Sequence, residues 1–168
     1  MNKTIWYVLG GVALVGILGF AYYAISPLFI NIKVDEALPG QETEESSTTG
    51  AHSEDVKTEV SSTQSTAAPV VGTPAHPASG FVRVIEVEEK TYVRYENYQT
   101  INGPDLYVYL AKDIEAKEFI DLGALKATEG NINYEIPAGV EVSEYPYVLT
   151  WCKQFGVLFN HVDLTPII

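Results

Sequence analysis

The sequence predicts an all-β protein, a small antiparallel β-sandwich preceded by one transmembrane helix and a disordered stalk. Three observations predict it. An uncharged apolar run lies near the start, a long segment lacks hydrophobic periodicity, and the C-terminal half is built of short β-branched and aromatic runs broken by turn formers. The average over all 168 residues hides this contrast, so composition is read by region.

No charged side chain occurs between Ile5 and Ile30. Roughly 20 residues at about 1.5 Å rise suffice to cross a bilayer, so the run is long enough to span. A cleaved leader is the rival reading, because Lys3 and the α-amino group give the chain a basic start. The run is about twice the usual apolar length of a leader, and it ends in Ala24-Ile25-Ser26-Pro27 without a clean small-x-small site. An uncleaved signal-anchor is therefore favoured. Trp6 and Tyr7 at one end, with Tyr22 and Tyr23 at the other, sit where aromatic rings prefer the headgroup layers. Lys3 before the run, against Lys33 with Asp35 and Glu36 after it, orients the N-terminus inward. The expected arrangement is a cytoplasmic segment at residues 1–4, an anchor at 5–30 with the lipid bilayer as its partner, and a single-pass cell-membrane protein whose C-terminal domain is extracytoplasmic.

Residues 31–79 read as a linker. From Leu38 the chain fills with Ser, Thr, Glu, Gly, Pro and Ala, a composition that buries too little apolar surface to offset chain entropy. Its first part is acidic; its second carries Pro69, Pro74 and Pro77, which stiffen a coil toward extended conformations. The expectation is a disordered acidic spacer lifting the domain off the membrane, with His52 and His76 solvated within it.

Residues 80–168 carry the expected domain. Strands are predicted at Phe81–Val87, Thr91–Tyr95, Leu106–Ala111, Asn133–Ile136, Tyr147–Lys153 and Val157–Val162, with weaker signals at Tyr98–Ile101 and Phe119–Leu122. Glu89-Lys90, Asn102-Gly103-Pro104-Asp105 and Gln154–Gly156 supply the turns. So small a domain needs aromatic volume in its core, and the sequence offers Phe81, Tyr92, Tyr107, Tyr109, Tyr134, Tyr147, Trp151, Phe155 and Phe159.

Charge and motifs exclude several functions. The net charge of −12, without a basic stripe, argues against nucleic-acid binding. No cysteine pair, haem-attachment motif or nucleotide-binding glycine loop is present. Paired acids such as Glu88/Glu89 and Asp113/Glu115 fall at turns and read as solubilising charge, so no hydrolase or transferase signature stands out. The one cysteine, Cys152, lies in a strand where Val148, Thr150 and Cys152 share a face opposite Leu149 and Trp151. As a buried thiol it is a small hydrophobe; as a reactive one it needs an accessible thiolate favoured by a cation such as Lys153. His161, nine positions after Cys152 and just past a hairpin, faces it across paired strands if the register permits, and is otherwise an ordinary half-exposed edge histidine. The two make a metal site only with further ligands, because a blue-copper centre needs two His and one Cys.

Four blocks carry a resemblance. Ile101-Asn102-Gly103-Pro104-Asp105-Leu106-Tyr107-Val108-Tyr109-Leu110 is followed by Asp121-Leu122-Gly123-Ala124-Leu125-Lys126, by Gly130-Asn131-Ile132-Asn133-Tyr134-Glu135-Ile136-Pro137, and by Val148-Leu149-Thr150-Trp151-Cys152-Lys153-Gln154-Phe155. In this order they resemble the DM-thirteen domain family across Gly80 to Leu164. The resemblance implies an extracytoplasmic β-sandwich-like domain in electron transfer, with Cys152 at the position of the motif cysteine as the candidate redox thiol and an unknown cofactor. Two functions follow as expectations. One is a redox module in which Cys152, with Trp151 and nearby tyrosines as hopping sites, exchanges electrons with a redox partner. The other is a non-catalytic binding or adhesion module that presents the Asn102–Asp105 turn to a surface protein.

Overall fold

A computed structural model describes residues 3–26, 31–41 and 62–168. Among the described residues, helix α1 (Lys3–Ile25) precedes eleven strands: β1 (Lys33–Asp35), β2 (Ser62–Gln64), β3 (Ala68–Pro69), β4 (Val71–Gly72), β5 (Ala78–Val87), β6 (Lys90–Thr100), β7 (Leu106–Ala111), β8 (Phe119–Ala124), β9 (Glu129–Ile136), β10 (Tyr147–Cys152) and β11 (Val157–Asp163). The long apolar side chains of α1, Leu14 and Phe20 among them, remain exposed rather than packing on the strands. Side chains are described for only part of α1, and among the described residues no helix is long and apolar enough to cross a membrane.

The strands form two sheets. One runs β1-β9-β6-β5-β2, with β3 also on β5; the other runs β4-β11-β10-β7-β8. Alternation explains how they close on each other. Val82, Val93, Ile132 and Tyr134 of the first sheet share a buried cluster with Val108, Leu110, Val148 and Val162 of the second. The sandwich expected from the sequence is thus present.

The pair Thr91–Tyr95 and Tyr98–Ile101, expected as separate strands, is one strand with a bulge between Tyr95 and Tyr98. Asn97 adopts φ 49 there, and the extra residue allows Tyr95 and Tyr98 to point into the same core. Gly80 lies against this bulge. A Cβ at Gly80 would meet Tyr98 Cα at 2.8 Å and Asn97 O at 2.9 Å, so only glycine fits.

The linker expectation is corrected at both ends. β1 pairs in parallel with β9, Lys33 opposite Glu129 and Asp35 opposite Asn131, and a Cβ on Gly130 would collide with Val34 O. Buried Arg94 fixes the chain after β1, its Nη1 donating to Glu36 O at 3.1 Å, Ala37 O at 3.0 Å and Asn133 Oδ1 at 2.7 Å. At the other end β2 and β3 pair with β5, and Ala68 and Val70 are core residues. The domain does not begin at 80. The physical reason is that edge strands need only main-chain partners, so Ser62–Gln64 pairs without the apolar alternation that marks a strand in sequence. Because β1 and β2 occupy opposite edges of one sheet, the chain between them is a connection within the domain, not a spacer between anchor and domain. Residues 42–61, the centre of the expected disordered segment and the site of His52, lie outside the described residues.

Candidate functional site at the Cys152 pole

Cys152 ends β10, paired with Leu106 of β7 and Val157 of β11. Its thiol is fully buried in a cluster with Leu106 and Phe159, against which Ile101 and Leu125 pack. A bulge between Thr150 and Trp151 inserts Phe159 into the last strand and turns its ring onto this cluster. Above Phe159 lies His76, with ring centroids 3.8 Å apart and planes at 16°. His76 is not solvated as expected: it closes a tight turn with Thr73, the two exchanging backbone hydrogen bonds of 3.1 Å, and its Nδ1 lies 2.9 Å from Thr73 Oγ1. Burial pulls the His76 imidazole below its ordinary value, opposed by a backbone hydrogen bond with Leu158.

His161 does not join this thiol. It stands opposite Leu149, and Leu149 belongs to the outer cluster with Tyr109 and Ala111, whereas Cys152 faces the space between the sheets. Cross-strand neighbours share a face and successive residues alternate, so the Cys152/His161 metal pair is excluded by register. His161 instead meets the Tyr147 ring edge-on at 6.4 Å, its Nδ1 buried without a partner among the described residues. Among those residues no group of three or more His, Cys, Asp or Glu is gathered to hold a metal. Lys153 does not support a thiolate either. Its Nζ sits 4.3 Å above the Tyr107 ring and 3.4 Å from Asp121 Oδ2, on the outer side.

That outer side is aromatic. Trp151 is half-buried opposite Tyr107, Tyr109 follows at 6.4 Å from Tyr107, and Phe119 stacks on Tyr109 at 4.0 Å. Burial, with the Asp121 carboxylate adding to it, pushes the Tyr109 phenol up to about 12, so it stays protonated at neutral pH. Cys152 and this row are separated by one strand thickness, with Trp151 the residue that links them along the chain.

Sequence reasoning missed a buried polar network on the Thr150 side of the thiol. Tyr98 OH lies 2.9 Å from Thr150 Oγ1, and Asn160 Nδ2 donates to Tyr98 OH at 3.0 Å and to Thr100 Oγ1 at 3.2 Å. Tyr95 packs on Tyr98 at 4.5 Å and on Tyr134 at 6.0 Å. Burial raises all three phenols, and the nearby Thr150 hydroxyl opposes the shift of Tyr95 without meeting hydrogen-bond geometry. Thr100 and Ile101 also line an open cleft of about 410 Å³ with Ser79, Gln99, Thr128 and Glu129. Thr100 joins the cleft to the network, and Ile101 joins it to the Cys152 cluster. The one legible trace was Asn160, a polar residue between Phe159 and His161 in a strand whose first three residues are apolar.

Comparison with curated proteins and with solved structures yields no match. Residues 71–164 match the family model described as Electron transfer DM13, a span from β4 through β11 that begins earlier than the Gly80 expected from the motif blocks and includes Cys152. With more than half of its length matched, the chain belongs to the electron transfer DM13 family.

Proposed function

We propose that this chain is a membrane-anchored, extracytoplasmic electron-transfer module in which Cys152 and the Trp151/Tyr107 row carry the redox role. The single observation that carries the electron-transfer reading is the family match from β4 through β11, which includes Cys152. Geometry narrows the chemistry. Thiol–disulfide exchange needs a second sulfur to reach the thiol directly, and the buried position beneath Phe159 denies that approach. Electron passage through adjoining side chains does not need it. The anchor reading is supported by the helical Lys3–Ile25 segment and by the uncharged run from Ile5 to Ile30 around it. Lys3 on one side of that run, with the acidic remainder on the other, supports an extracytoplasmic domain.

The test is purification of the full chain in detergent, followed by metal analysis, an absorption spectrum and a redox titration, repeated on Cys152→Ala. Reversible oxidation, an electron passed to the titrating mediator and recovered on re-reduction, that disappears in Cys152→Ala is the expected result. Identical titrations of the two proteins would remove the redox role of the cysteine.

A second reading, a non-catalytic surface-binding module, is favoured by one observation: an open cleft lined by both polar (Ser79, Gln99, Thr128) and apolar (Pro77, Ala78, Ile101) residues opens beside the turn at residues 102–105. It predicts that Thr100→Val and Gln99→Ala abolish capture of a surface partner while Cys152→Ala retains it. Capture unaffected by the cleft substitutions sinks this reading.

A further inference from the structure

One pole of the sandwich gathers the point where the chain enters from α1 and several turns. Ile32 N donates to Thr128 Oγ1 at 3.0 Å, and Thr128 N donates back to Ile32 O at 2.8 Å. Thr100 N donates to Thr128 O at 3.0 Å, and Lys153 N to Asp105 O at 2.9 Å. The start of β1, the end of β6 and the turns at 102–105 and 153–156 therefore lie at the same end of the fold, with Cys152 just inside it.

Residues 26–31 are all that separates α1 from Ile32. At no more than about 3.6 Å per residue, so short a connection holds the domain within about 25 Å of the helix end. The turn between β10 and β11 faces that helix: Tyr23 OH donates to Gln154 Oε1 at 3.0 Å. A hydrogen bond from Gly156 N to Cys152 O at 2.9 Å tightens the turn and leaves Phe155 and Val157 exposed at 45% and 39%. The stretch Gln154-Phe155-Gly156-Val157 carries no charged side chain in a chain of net charge −12, and Lys153 precedes it.

We propose that this pole docks on the headgroup layer of the same membrane that holds α1, with Phe155 and Val157 at the lipid interface beside Tyr23. The inference rests on the membrane-spanning reading of α1. An exposed aromatic ring next to a residue of the interfacial aromatic belt is in the environment such rings prefer. The Cys152 cluster and the cleft then face the membrane, and a redox partner reaches them along or from the bilayer surface.

The test uses the full chain in lipid nanodiscs containing a headgroup-labelled paramagnetic lipid. Amide relaxation enhancement is compared between residues 154–157 and residues 88–89 at the opposite pole, and alkaline extraction of the same chain from vesicles reports the anchor separately. Enhancement several-fold greater at 154–157, lost in Phe155→Asp/Val157→Asp, is the expected result. Equal enhancement at both poles in a chain that resists extraction overturns the docking and leaves the anchor standing. A chain released by alkali overturns both, and pairing of two copies through residues 154–157 overturns the lipid assignment.

Discussion

Ile32 and Thr128 hold each other by two reciprocal hydrogen bonds, which makes the residue before β1 part of the domain. Removing residues before 80 deletes β1 to β4, strips Arg94 of two backbone acceptors and uncovers the core at Ala68 and Val70. Loss of one buried Val and of charge-assisted hydrogen bonds together costs about 3 kcal/mol or more. Chemical denaturation of a chain starting at residue 31 and one starting at 80 is expected to give a clearly lower midpoint for the shorter. Equal midpoints would show that the early strands contribute nothing.

Burial decides how Cys152 reacts. Under Phe159 the thiol is expected to react with a soluble disulfide reagent only as fast as the domain opens. Phe159→Leu thins that cover while keeping an apolar side chain, and is expected to raise the reaction rate at least several-fold. Cys152→Ser places a hydroxyl among Leu106, Phe159 and Ile101 at a cost of about 1–3 kcal/mol. A native thiol that reacts at once in the thiol assay contradicts the buried placement.

β7 and β10 of the second sheet were legible because they are apolar runs ended by turn formers, and the predicted bounds of β7 match the observed ones. β2 and β4 were not, since Ser62–Gln64 and Val71–Gly72 are held by main-chain bonds at sheet edges and carry no periodic pattern. Alternation correctly put Cys152 on one face with Val148 and Thr150, but it left open which face was inward. That choice depends on the partner sheet, which sequence spacing does not contain. His161 was misplaced relative to Cys152 because the bulge that inserts Phe159 changes the count between the two strands.

The hydroxyl of Tyr98 is the centre of the buried polar network, touching Thr150 and Asn160. Tyr98→Phe keeps the ring but leaves those groups short of a partner, a loss of about 1–3 kcal/mol. Tyr95→Phe removes a hydroxyl with no hydrogen-bond partner and is expected to be near neutral or slightly stabilising. Thermal unfolding of the two variants side by side checks the contrast, and similar losses in both count against the network.

The last prediction concerns pH. His76 has its folded value lowered below 6.5, mainly by burial under the turn it closes with Thr73 and against Phe159. Between the folded value and 6.5 the unfolded chain binds more protons, so stability rises with pH there. The contribution is complete above the unfolded value and is lost as pH falls through 6.5 toward the folded one. Asp163, held below 3.8 by hydrogen bonds from Thr165, acts only at more acidic pH and does not blur this window. His76→Phe preserves the stack on Phe159 without a titrating group. Denaturation midpoints between pH 7 and 5 are expected to fall more steeply in the native chain than in His76→Phe, and parallel curves would rule out the histidine as the source.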